Sequence, residues 1–392
     1  MKGDVPAPSP QFAAELPALV RRRAESRQFR GSLERWREHF QGCLDRPELR
    51  FVIWMATRRC NLRCRYCVLP HEESAGRDLT TAEVKRVFAE LAEDFDPGRI
   101  MVGITGGEAT LRPDLVELVR EMVCLGFKTV AVDSNGIAYG RDLSLIDRLV
   151  EAGMRCPTIS VDGVGEAQRA LRGDASAGAL TWKAIEHVQR RYPELGTTTI
   201  CAASPGNLGE IIEVYRRFED LGITFARLSP IFPLGRAAHD SAEVLGAEAL
   251  ATLLSWLAEQ RSLFAAGKRD LEIELIDDGW CGLELEGGLL RASFFNCRAG
   301  LTSLGIEHDG AVVGCPVIHA GFNTQGTALE ERVSRIWRER FRPFRDRSWL
   351  RQGECAGCRD WEACLGGSMH NRDDAGGLVR CSASGLRAAF GL

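Results

Sequence analysis

The sequence predicts an α/β fold, a partial (β/α)6 barrel followed by a smaller cysteine-rich extension. Three observations predict it. Strand-like and helical patterns alternate six times between residue 51 and about residue 265, three cysteines directly follow the first predicted strand, and a second cysteine group spans 281–381. Repeated βα units form a parallel sheet with right-handed crossovers, so six units give an open, partial barrel.

Composition narrows the function classes. The chain has 392 residues, of which 45% are hydrophobic and 27% charged, and its net charge is −4. This charge, without a basic stripe, argues against a general nucleic-acid binder. The sequence has no run of about 18 apolar residues, so it predicts no transmembrane helix. The first residues lack the apolar stretch of a secretory signal, so we expect a cytoplasmic protein without membrane partners.

The length predicts either two domains or a large barrel with additions. We divide the chain into an N-terminal helical extension (1–50), the partial barrel (51–240), a helical linker (241–290) and a cysteine-rich domain (291–392). The predicted barrel strands are 51–56, 100–104, 129–133, 158–161, 197–201 and 224–228. The predicted helices are 80–94, 113–125, 143–151, 181–191, 208–221 and 247–265. In the first of these helices, Thr80 and Glu83 have the spacing of a capping box.

Fourteen cysteines in a long chain with no secretory signal indicate metal binding or catalysis rather than disulfides. Ten fall in the two groups, 60–67 and 281–381. The other four are scattered, and we expect each to be a small buried apolar side chain: Cys43, Cys124, Cys156 and Cys201.

The first group, Cys60, Cys64 and Cys67, has C-x3-C-x2-C spacing. A cubane [4Fe–4S] cluster takes four ligands, usually thiolates, so three cysteines leave one iron open to a small molecule. The alternative is a zinc loop, but zinc sites usually combine C-x2-C or Cys/His pairs into four ligands. Since only His71 lies close by as a fourth ligand, the spacing favours the iron–sulfur cluster.

Polar groups follow the next predicted strands, at the sheet edge where (β/α) barrels carry their active sites. Gly106, Gly107 and Glu108 follow the second strand, Ser134 and Asn135 the third, and Asp162 the fourth. A glycine pair lets the backbone approach a ligand closely, and a neighbouring carboxylate can bind a cationic amine.

With these motifs the chain resembles the radical SAM superfamily over about residues 51–235. The resemblance implies that Cys60, Cys64 and Cys67 bind a [4Fe–4S] cluster whose open iron chelates S-adenosylmethionine (SAM). It places Tyr66 next to the adenine, and Gly106, Gly107 and Glu108 around the methionine amine. The other positions expected to face cofactor or substrate are Ser134, Asn135, Ser160, Asp162 and Arg172, with Arg172 meeting the SAM carboxylate and Ser160 a ribose or carboxylate group.

The resemblance also implies a mechanism. An electron from the reduced cluster, supplied by a flavodoxin- or ferredoxin-type partner, breaks a carbon–sulfur bond of SAM. The resulting 5′-deoxyadenosyl radical takes hydrogen from an unactivated position. In such enzymes the cofactor carries the chemistry, and the protein orients the substrate and excludes water.

After Cys281, the second cysteine group has Cys297 and Cys315, which flank a predicted β-hairpin with an Asp309-Gly310 turn. It continues with Cys355, Cys358, Cys364 and Cys381. A zinc site built from the last four is one interpretation. The pattern over about 290–385 also resembles the SPASM extension of radical SAM enzymes, which holds auxiliary iron–sulfur clusters, and this favours a complete cluster on those four cysteines.

One position departs from the SPASM pattern. The family has C-x2-C-x5-C-x3-C, whereas the fourth position here is Ser368. The resemblance assigns the missing thiolate to a second auxiliary cluster with Cys297 and Cys315, for which Cys281 is the available upstream ligand. We expect this cluster to be present but under-ligated; the alternatives are an oxygen or nitrogen ligand from Ser368 or His370, or no cluster.

The leading functional prediction is a radical SAM enzyme that oxidatively modifies a ribosomally made precursor peptide, forming a crosslink or thioether. The alternatives are dehydrogenation or rearrangement of a small molecule, such as an aminocyclitol or tetrapyrrole precursor, and a non-catalytic iron–sulfur electron carrier. Near the junction with the extension lie His239, Asp277, Asp278 and Trp280, where a general acid or base is one hypothesis. The sequence favours the alternative, a solvated loop with a buried tryptophan, and we assign no catalytic base.

Overall fold

A computed structural model describes residues 5–69, 76–174, 176–239, 241–276 and 279–390. The described residues form one ten-stranded sheet in the order β10-β9-β8-β1-β2-β3-β4-β5-β6-β7. Its strands are β1 Phe51–Met55, β2 Met101–Thr105, β3 Thr129–Ser134, β4 Cys156–Ser160, β5 Thr198–Ala203, β6 Phe225–Pro230, β7 Glu272–Leu275, β8 Ser303–Ile306, β9 Ala311–Val313 and β10 Thr324–Thr327.

The barrel prediction is confirmed. Strands β1 to β6 are parallel neighbours in chain order, with Phe51 opposite Met101 and Met55 opposite Thr105 in the first pair. The sheet continues beyond the six predicted strands, because β7 pairs parallel with β6 and β8 pairs parallel with β1. Both edges of the barrel sheet are therefore covered by strands from the C-terminal part of the chain.

Helices separate the barrel strands and continue into the extension. They are α1 Pro10–Glu25, α2 Arg27–Asp45, α3 Thr81–Asp94, α4 Leu115–Cys124, α5 Ile137–Arg141, α6 Leu143–Glu151, α7 Glu166–Arg172, α8 Ala177–Arg191, α9 Leu208–Asp220, α10 Ala247–Ala265, α11 Val333–Glu339, α12 Arg342–Arg345, α13 Trp361–Cys364 and α14 Ser382–Phe390. Short 3-10 helices occupy Pro97–Arg99, Ala109–Leu111, Gly235–Ala238, Ser241–Glu243, Gly321–Asn323, Ser348–Leu350, Gly353–Cys355 and Met369–Asn371. In the part of the chain that the structure describes, no helix is long and apolar enough to cross a bilayer.

Local chemistry explains where α3 begins and which face it buries. The Thr80 hydroxyl accepts a hydrogen bond from the Glu83 N–H, and the Glu83 carboxylate accepts one from the Thr80 N–H, which is the predicted capping box. The apolar side chains of α3 recur at helical spacing and are buried in the main core: Val84, Val87, Phe88 and Leu91.

The two N-terminal helices contact different parts of the molecule. Leu16 and Val20 of α1 belong to the main core. Phe29 and Leu33 of α2 pack in a second core with Trp280, from the extension side of the molecule. These helices therefore cover both the barrel and the extension.

The predicted hairpin is present in the extension. Strands β8 and β9 pair antiparallel, and the Gly310 N–H donates to the Glu307 carbonyl in the turn between them. Gly310 has φ +94°, which favours glycine. The hairpin continues the barrel sheet, so Cys315 lies only two residues after β9, a strand of that sheet.

The prediction for the four scattered cysteines is correct only in part. Cys201 is buried, Cys43 and Cys156 are partly exposed, and Cys124 is exposed. Cys124 is the last residue of α4, so the end of that helix faces solvent there.

Candidate active site

The cysteine loop after β1 lies against the glycine pair that follows β2. The Gly107 N–H donates to the Thr57 carbonyl at 2.8 Å, and the Glu108 N–H donates to the Arg59 carbonyl at 2.9 Å. A Cβ on Gly107 would lie 2.5 Å from the Arg58 carbonyl oxygen, and one on Gly106 2.5 Å from that of Thr57. Only glycine therefore fits this approach to the residues that lead into Cys60.

A second segment holds the loop from the other side. The Arg236 N–H donates to the Cys67 carbonyl at 3.0 Å, and Arg236 Nε donates to the Cys64 carbonyl at 2.7 Å. Gly235 has φ +55°, and a Cβ there would lie 2.6 Å from the Val68 carbonyl oxygen. The cysteine loop therefore lies between the residues that follow β2 and those that follow β6, and both segments form hydrogen bonds with it or with the residues that lead into it.

The three thiols are close enough to influence one another. Burial raises the pKa of Cys60, to which the charges of Glu108 and Cys67 add, and it raises the pKa of Cys64 to about 12. Three half-buried sulfur donors on one loop are suited to iron of an iron–sulfur cluster. In addition, Arg236 Nη2 is buried without a hydrogen-bond partner among the described residues. An anionic cluster on these thiolates fits that vacant cationic donor.

Glu108 lies beneath this loop and is 2% exposed. Its carboxylate accepts from Ser134 Oγ and the Asn135 N–H, both at 2.8 Å, and from the Thr110 N–H and hydroxyl. Burial raises its pKa, which these hydrogen bonds partly offset. The four bonds engage its acceptor sites, so in this structure Glu108 joins the ends of β2 and β3. Contact of Glu108 with a methionine amine remains a prediction.

Asp162 organises the opposite side of the site and is 1% exposed. Its Oδ2 accepts from Arg172 Nε at 2.7 Å and from the Tyr66 hydroxyl, and its Oδ1 accepts from the Ala202 N–H at 2.9 Å. The remaining guanidinium N–H groups of Arg172 have no hydrogen-bond partner among the described residues. Asp162 therefore orients both Tyr66 and Arg172, a role that the sequence did not suggest.

A cavity of about 240 Å³ opens beside the cysteine loop, at the C-terminal ends of β4, β5 and β6. Tyr66, Cys67, Ser160, Asp162 and Arg172 are among its lining residues. The extension contributes Val317 and His370 to the lining, and the segment after β6 contributes apolar side chains: Ile231, Phe232 and Leu234. The structure thus brings these five predicted site residues together, whereas Ser134 and Asn135 belong to the Glu108 network.

Four cysteines of the extension lie around one cavity. Cys355, Cys358, Cys364 and Cys381 line this small cavity together with Trp280 and Trp361, and their role as cluster ligands remains a prediction. Burial raises the pKa of Cys364, and the charges of the other three thiols raise it further. Four sulfur donors around one cavity fit an iron–sulfur cluster.

The remaining cysteines of the extension have other surroundings. Cys297 lies next to Arg347, whose Nη2 donates to the Cys297 carbonyl at 3.3 Å. Cys315 follows β9 and is partly exposed. Cys281 is fully buried, 3.8 Å from Arg291 Nη1. Its place among the ligands of a second auxiliary cluster therefore remains a prediction.

Ser368, at the position of the missing cysteine, is 2.6 Å from His370 Nδ1. Ser368 also lines the four-cysteine cavity, while His370 lines the cavity at the strand ends and its ring packs edge-on against Phe232 at 4.6 Å. This pair joins the two cavities.

The junction candidates for a general acid or base gain no support. His239 is exposed, and Trp280 is buried with its indole N–H donating to Asp360. Asp277 and Asp278 lie outside the described residues, as does His71.

Sequence reasoning missed the arginines that accompany the cysteines. They are Arg236 at the first group, Arg347 at Cys297 and Arg372, whose Nη2 lies 3.3 Å from Cys355 Sγ. Among these three arginines, only Arg236 had a signal in the sequence, the Gly235-Arg236-Ala237 run.

Two family models match the chain. Residues 54–218 match the radical SAM superfamily, and residues 297–359 match the SPASM iron–sulfur cluster-binding domain. Together they cover more than half of the chain, and both domains imply an iron–sulfur cluster and, for the first, SAM.

Named relatives match over most of the chain. An AdoMet-dependent heme synthase of Oleidesulfovibrio alaskensis is 27% identical over 333 residues, covering 82% of this chain and 82% of the relative. A PqqA peptide cyclase of Bradyrhizobium diazoefficiens is 28% identical over 327 residues, covering 81% of this chain and 80% of the relative.

A solved structure has the same fold. It is anSMEcpe with bound AdoMet and the Kp18Cys peptide, with a TM-score of 0.68 and 18% identity over 88% of this chain and 96% of that chain.

Because the two family models match its two regions, the chain is a radical SAM enzyme that belongs to the SPASM-containing branch of the radical SAM superfamily.

Proposed function

We propose that this enzyme reductively cleaves SAM and uses the radical to modify a ribosomally synthesised peptide oxidatively. The observation that carries the proposal is the cavity at the ends of β4 to β6, which the cysteine loop, the strand ends and the extension line together. A reacting group in this cavity would contact both the cysteine loop and residues of the extension.

The residues of the site suit the two cofactors. Cys60, Cys64 and Cys67 would hold the [4Fe–4S] cluster. Arg172, kept in place by Asp162, has guanidinium N–H groups available for the SAM carboxylate, and the ring of Tyr66 offers a flat surface for the adenine. When bound and reduced, this pair supplies a 5′-deoxyadenosyl radical; the donor would be a flavodoxin- or ferredoxin-type protein.

The chain's own side chains would protect and position the reacting groups. Ile231, Phe232, Leu234 and Val317 form an apolar wall that keeps water from the cavity. The Ser368–His370 pair contributes a polar group to this wall from the extension. Cys355, Cys358, Cys364 and Cys381 would hold an auxiliary cluster, which supplies a one-electron acceptor for oxidation of the substrate.

The peptide substrate rests on the relatives. The PqqA peptide cyclase matches about four fifths of the chain and about four fifths of its own length. The heme synthase matches a similar share of the chain, 82%, at a similar identity. A tetrapyrrole or another small molecule is therefore the second candidate substrate class.

One experiment separates the two candidates. The wild type and a C60A/C64A/C67A variant are each expressed together with a candidate precursor peptide, taken from a short open reading frame near the gene, and the peptide is analysed by mass spectrometry. A loss of two hydrogens, about 2 Da, with the wild type alone supports peptide modification. Equal masses, combined with conversion of a tetrapyrrole precursor by the purified enzyme, would favour the second candidate.

A further inference from the structure

Alternate residues of the cysteine loop face solvent. Arg63 and Arg65 are exposed, whereas Leu62 is buried and Cys64 is half-buried. Leu62 and Cys64 pack in a small apolar cluster with Ile137. The two arginines therefore flank Cys64 in the chain but lie on the outward face of the loop, while the side chain of Cys64 packs inward.

The same stretch concentrates positive charge. Residues 57–69, the described part of the loop, contain four arginines and no aspartate or glutamate. The whole chain, by contrast, has a net charge of −4. A local concentration of one sign attracts partners of the opposite sign over about one Debye length, about 8 Å at physiological ionic strength.

The carboxylates near this loop leave its outer surface positive. Arg59 lies 3.6 Å from Asp78, with side chains 65% and 24% exposed, and Arg65 lies 3.0 Å from Glu243, with side chains 51% and 4% exposed. Arg63 is exposed and has no carboxylate within 4 Å among the described residues. In both pairs the arginine is the more exposed partner, so an approaching protein meets positive charge.

These side chains lie outside the cavity at the ends of β4 to β6. The loop contributes Tyr66 and Cys67 to the described lining of that cavity, which includes none of the three arginines. A substrate held in the cavity would therefore not contact them, and their charge needs another explanation.

The function proposed above requires an electron from outside the chain. Because the rate of electron transfer falls steeply with distance, a carrier protein must dock close to the site that it reduces. Complexes between electron-transfer proteins are small and transient, below about 1,200 Å² of buried surface, and complementary charge steers their association. A few exposed arginines on the loop that carries the thiols meet both requirements.

We propose that the side chains of Arg59, Arg63 and Arg65, here called the basic face, form the docking surface for an acidic one-electron carrier protein. One electron leaves the reduced carrier, which is oxidised, and enters the oxidised cluster on Cys60, Cys64 and Cys67, which is reduced. No atom is transferred. The inference rests on the proposed function, because it assigns the place where that reaction receives its electron.

The test uses the full chain with its clusters reconstituted anaerobically. Formation of 5′-deoxyadenosine from SAM is followed with two reductants. One is a bacterial flavodoxin kept reduced by NADPH and its reductase, and the other is dithionite, a small molecule that needs no protein docking surface. The proteins compared are the wild type, R63E, R59E/R63E and R63K. Arg120→Glu is the matched control, since Arg120 is an exposed arginine of α4, outside the basic face.

At limiting flavodoxin, we expect the flavodoxin-driven rate to fall about tenfold in R63E and further in R59E/R63E, because charge reversal slows association. The dithionite-driven rate and the iron content of these variants should match the wild type. R63K and R120E should behave as the wild type with both reductants. The wild-type flavodoxin-driven rate should decrease with rising salt, and that of R59E/R63E should respond less.

An unchanged flavodoxin-driven rate in R59E/R63E would overturn the proposal. So would an equal loss with both reductants, which would show that the arginines support the loop itself. If R59E/R63E does not fold, R63E decides alone, because its replacement breaks no ion pair among the described residues.

Flavodoxin binding, measured by isothermal titration calorimetry, separates this proposal from the proposed function. If the wild type forms no 5′-deoxyadenosine with either reductant, the proposed function fails. Weaker binding of flavodoxin to R63E than to the wild type and R120E would then still support the basic face, and equal binding to all three would overturn it.

Discussion

Asn135 Nδ2 donates to Asn61 Oδ1 at 2.7 Å, which connects the end of β3 directly to the cysteine loop. The Asn135 N–H donates to Glu108 Oε2, and its carbonyl accepts from the Thr181 hydroxyl. Asn135 is therefore fixed by the barrel, and Asn61, the residue after Cys60, takes its position from Asn135.

This contact predicts a measurable coupling between the two residues. N61A and N135A should each destabilise the chain, and the double variant should lose about 1 kcal/mol less than the sum, the contribution of one shared hydrogen bond. Urea unfolding of the four proteins gives the coupling. Strictly additive losses would show that the contact contributes nothing.

The glycine pair predicts a specific loss of the first cluster. Gly107→Ala should displace residues 57–59, because its Cβ has no room beside the Arg58 carbonyl. Iron at the first site and SAM cleavage should fall at least about tenfold, equivalent to about 1.4 kcal/mol, while iron in the extension remains.

Gly42→Ala in α2 is the matched control, since a Cβ there meets nothing within 4 Å. It should keep all iron and stabilise the helix by up to about 1 kcal/mol. Full first-site iron in Gly107→Ala would contradict the close approach.

The buried ion pair predicts a large loss when one partner is removed. Arg172→Met leaves the Asp162 carboxylate buried without its cation and should cost about 3–5 kcal/mol. Restoring neutrality in D162N/R172M should recover part of that loss, as measured by urea unfolding.

The exposed pair Arg169–Glu166 is the control, where Arg169→Met should cost less than about 1 kcal/mol. Equal losses for R172M and R169M would show that Asp162 does not depend on Arg172.

Glu307 predicts a pH dependence of stability. Burial raises its pKa from 4.5 to about 7, which Arg58 partly offsets. The folded state holds the Glu307 proton more tightly than the unfolded state. The stabilisation from protonated Glu307 is therefore full below about pH 4.5 and is lost as the pH rises through about 7. This stabilisation amounts to up to about 3 kcal/mol of the free energy of unfolding.

Glu307→Gln should therefore reduce the loss of stability between about pH 4.5 and about pH 7, measured by urea unfolding across that window. The exposed Glu330→Gln should follow the wild type. A wild-type profile in Glu307→Gln would show that another group is responsible.

Local patterns predicted the elements whose interactions are local. The capping box of Thr80 and Glu83 and the Asp309-Gly310 turn each depend on residues within a few positions of one another, and both are present. The residues of β7, Glu272–Leu275, alternate between polar and apolar, which is a strand pattern. The strand has only 4 residues, so this pattern was a weak signal. Its pairing with β6 is a tertiary contact and has no local signature.

The site divides in the same way. Cysteine spacing and the glycine pair predicted where cofactors would bind, because ligand geometry restricts spacing along the chain, and this assignment stays a prediction. Spacing along the chain did not predict which residues contact the arginines. Arg172 pairs with Asp162, and Arg347 donates to the carbonyl of Cys297, 50 residues away. The domain boundaries at 50, 240 and 290 remain predictions.

The central claim is that the loop of Cys60, Cys64 and Cys67 generates a radical from SAM. The most direct measurement is 5′-deoxyadenosine formation by the anaerobically reconstituted, reduced enzyme, compared with the C60A/C64A/C67A variant under the same conditions. We predict formation by the wild type and none above background by the variant, which should retain the iron of its extension. Equal amounts from both proteins, or none from a wild type with full iron, would contradict the account.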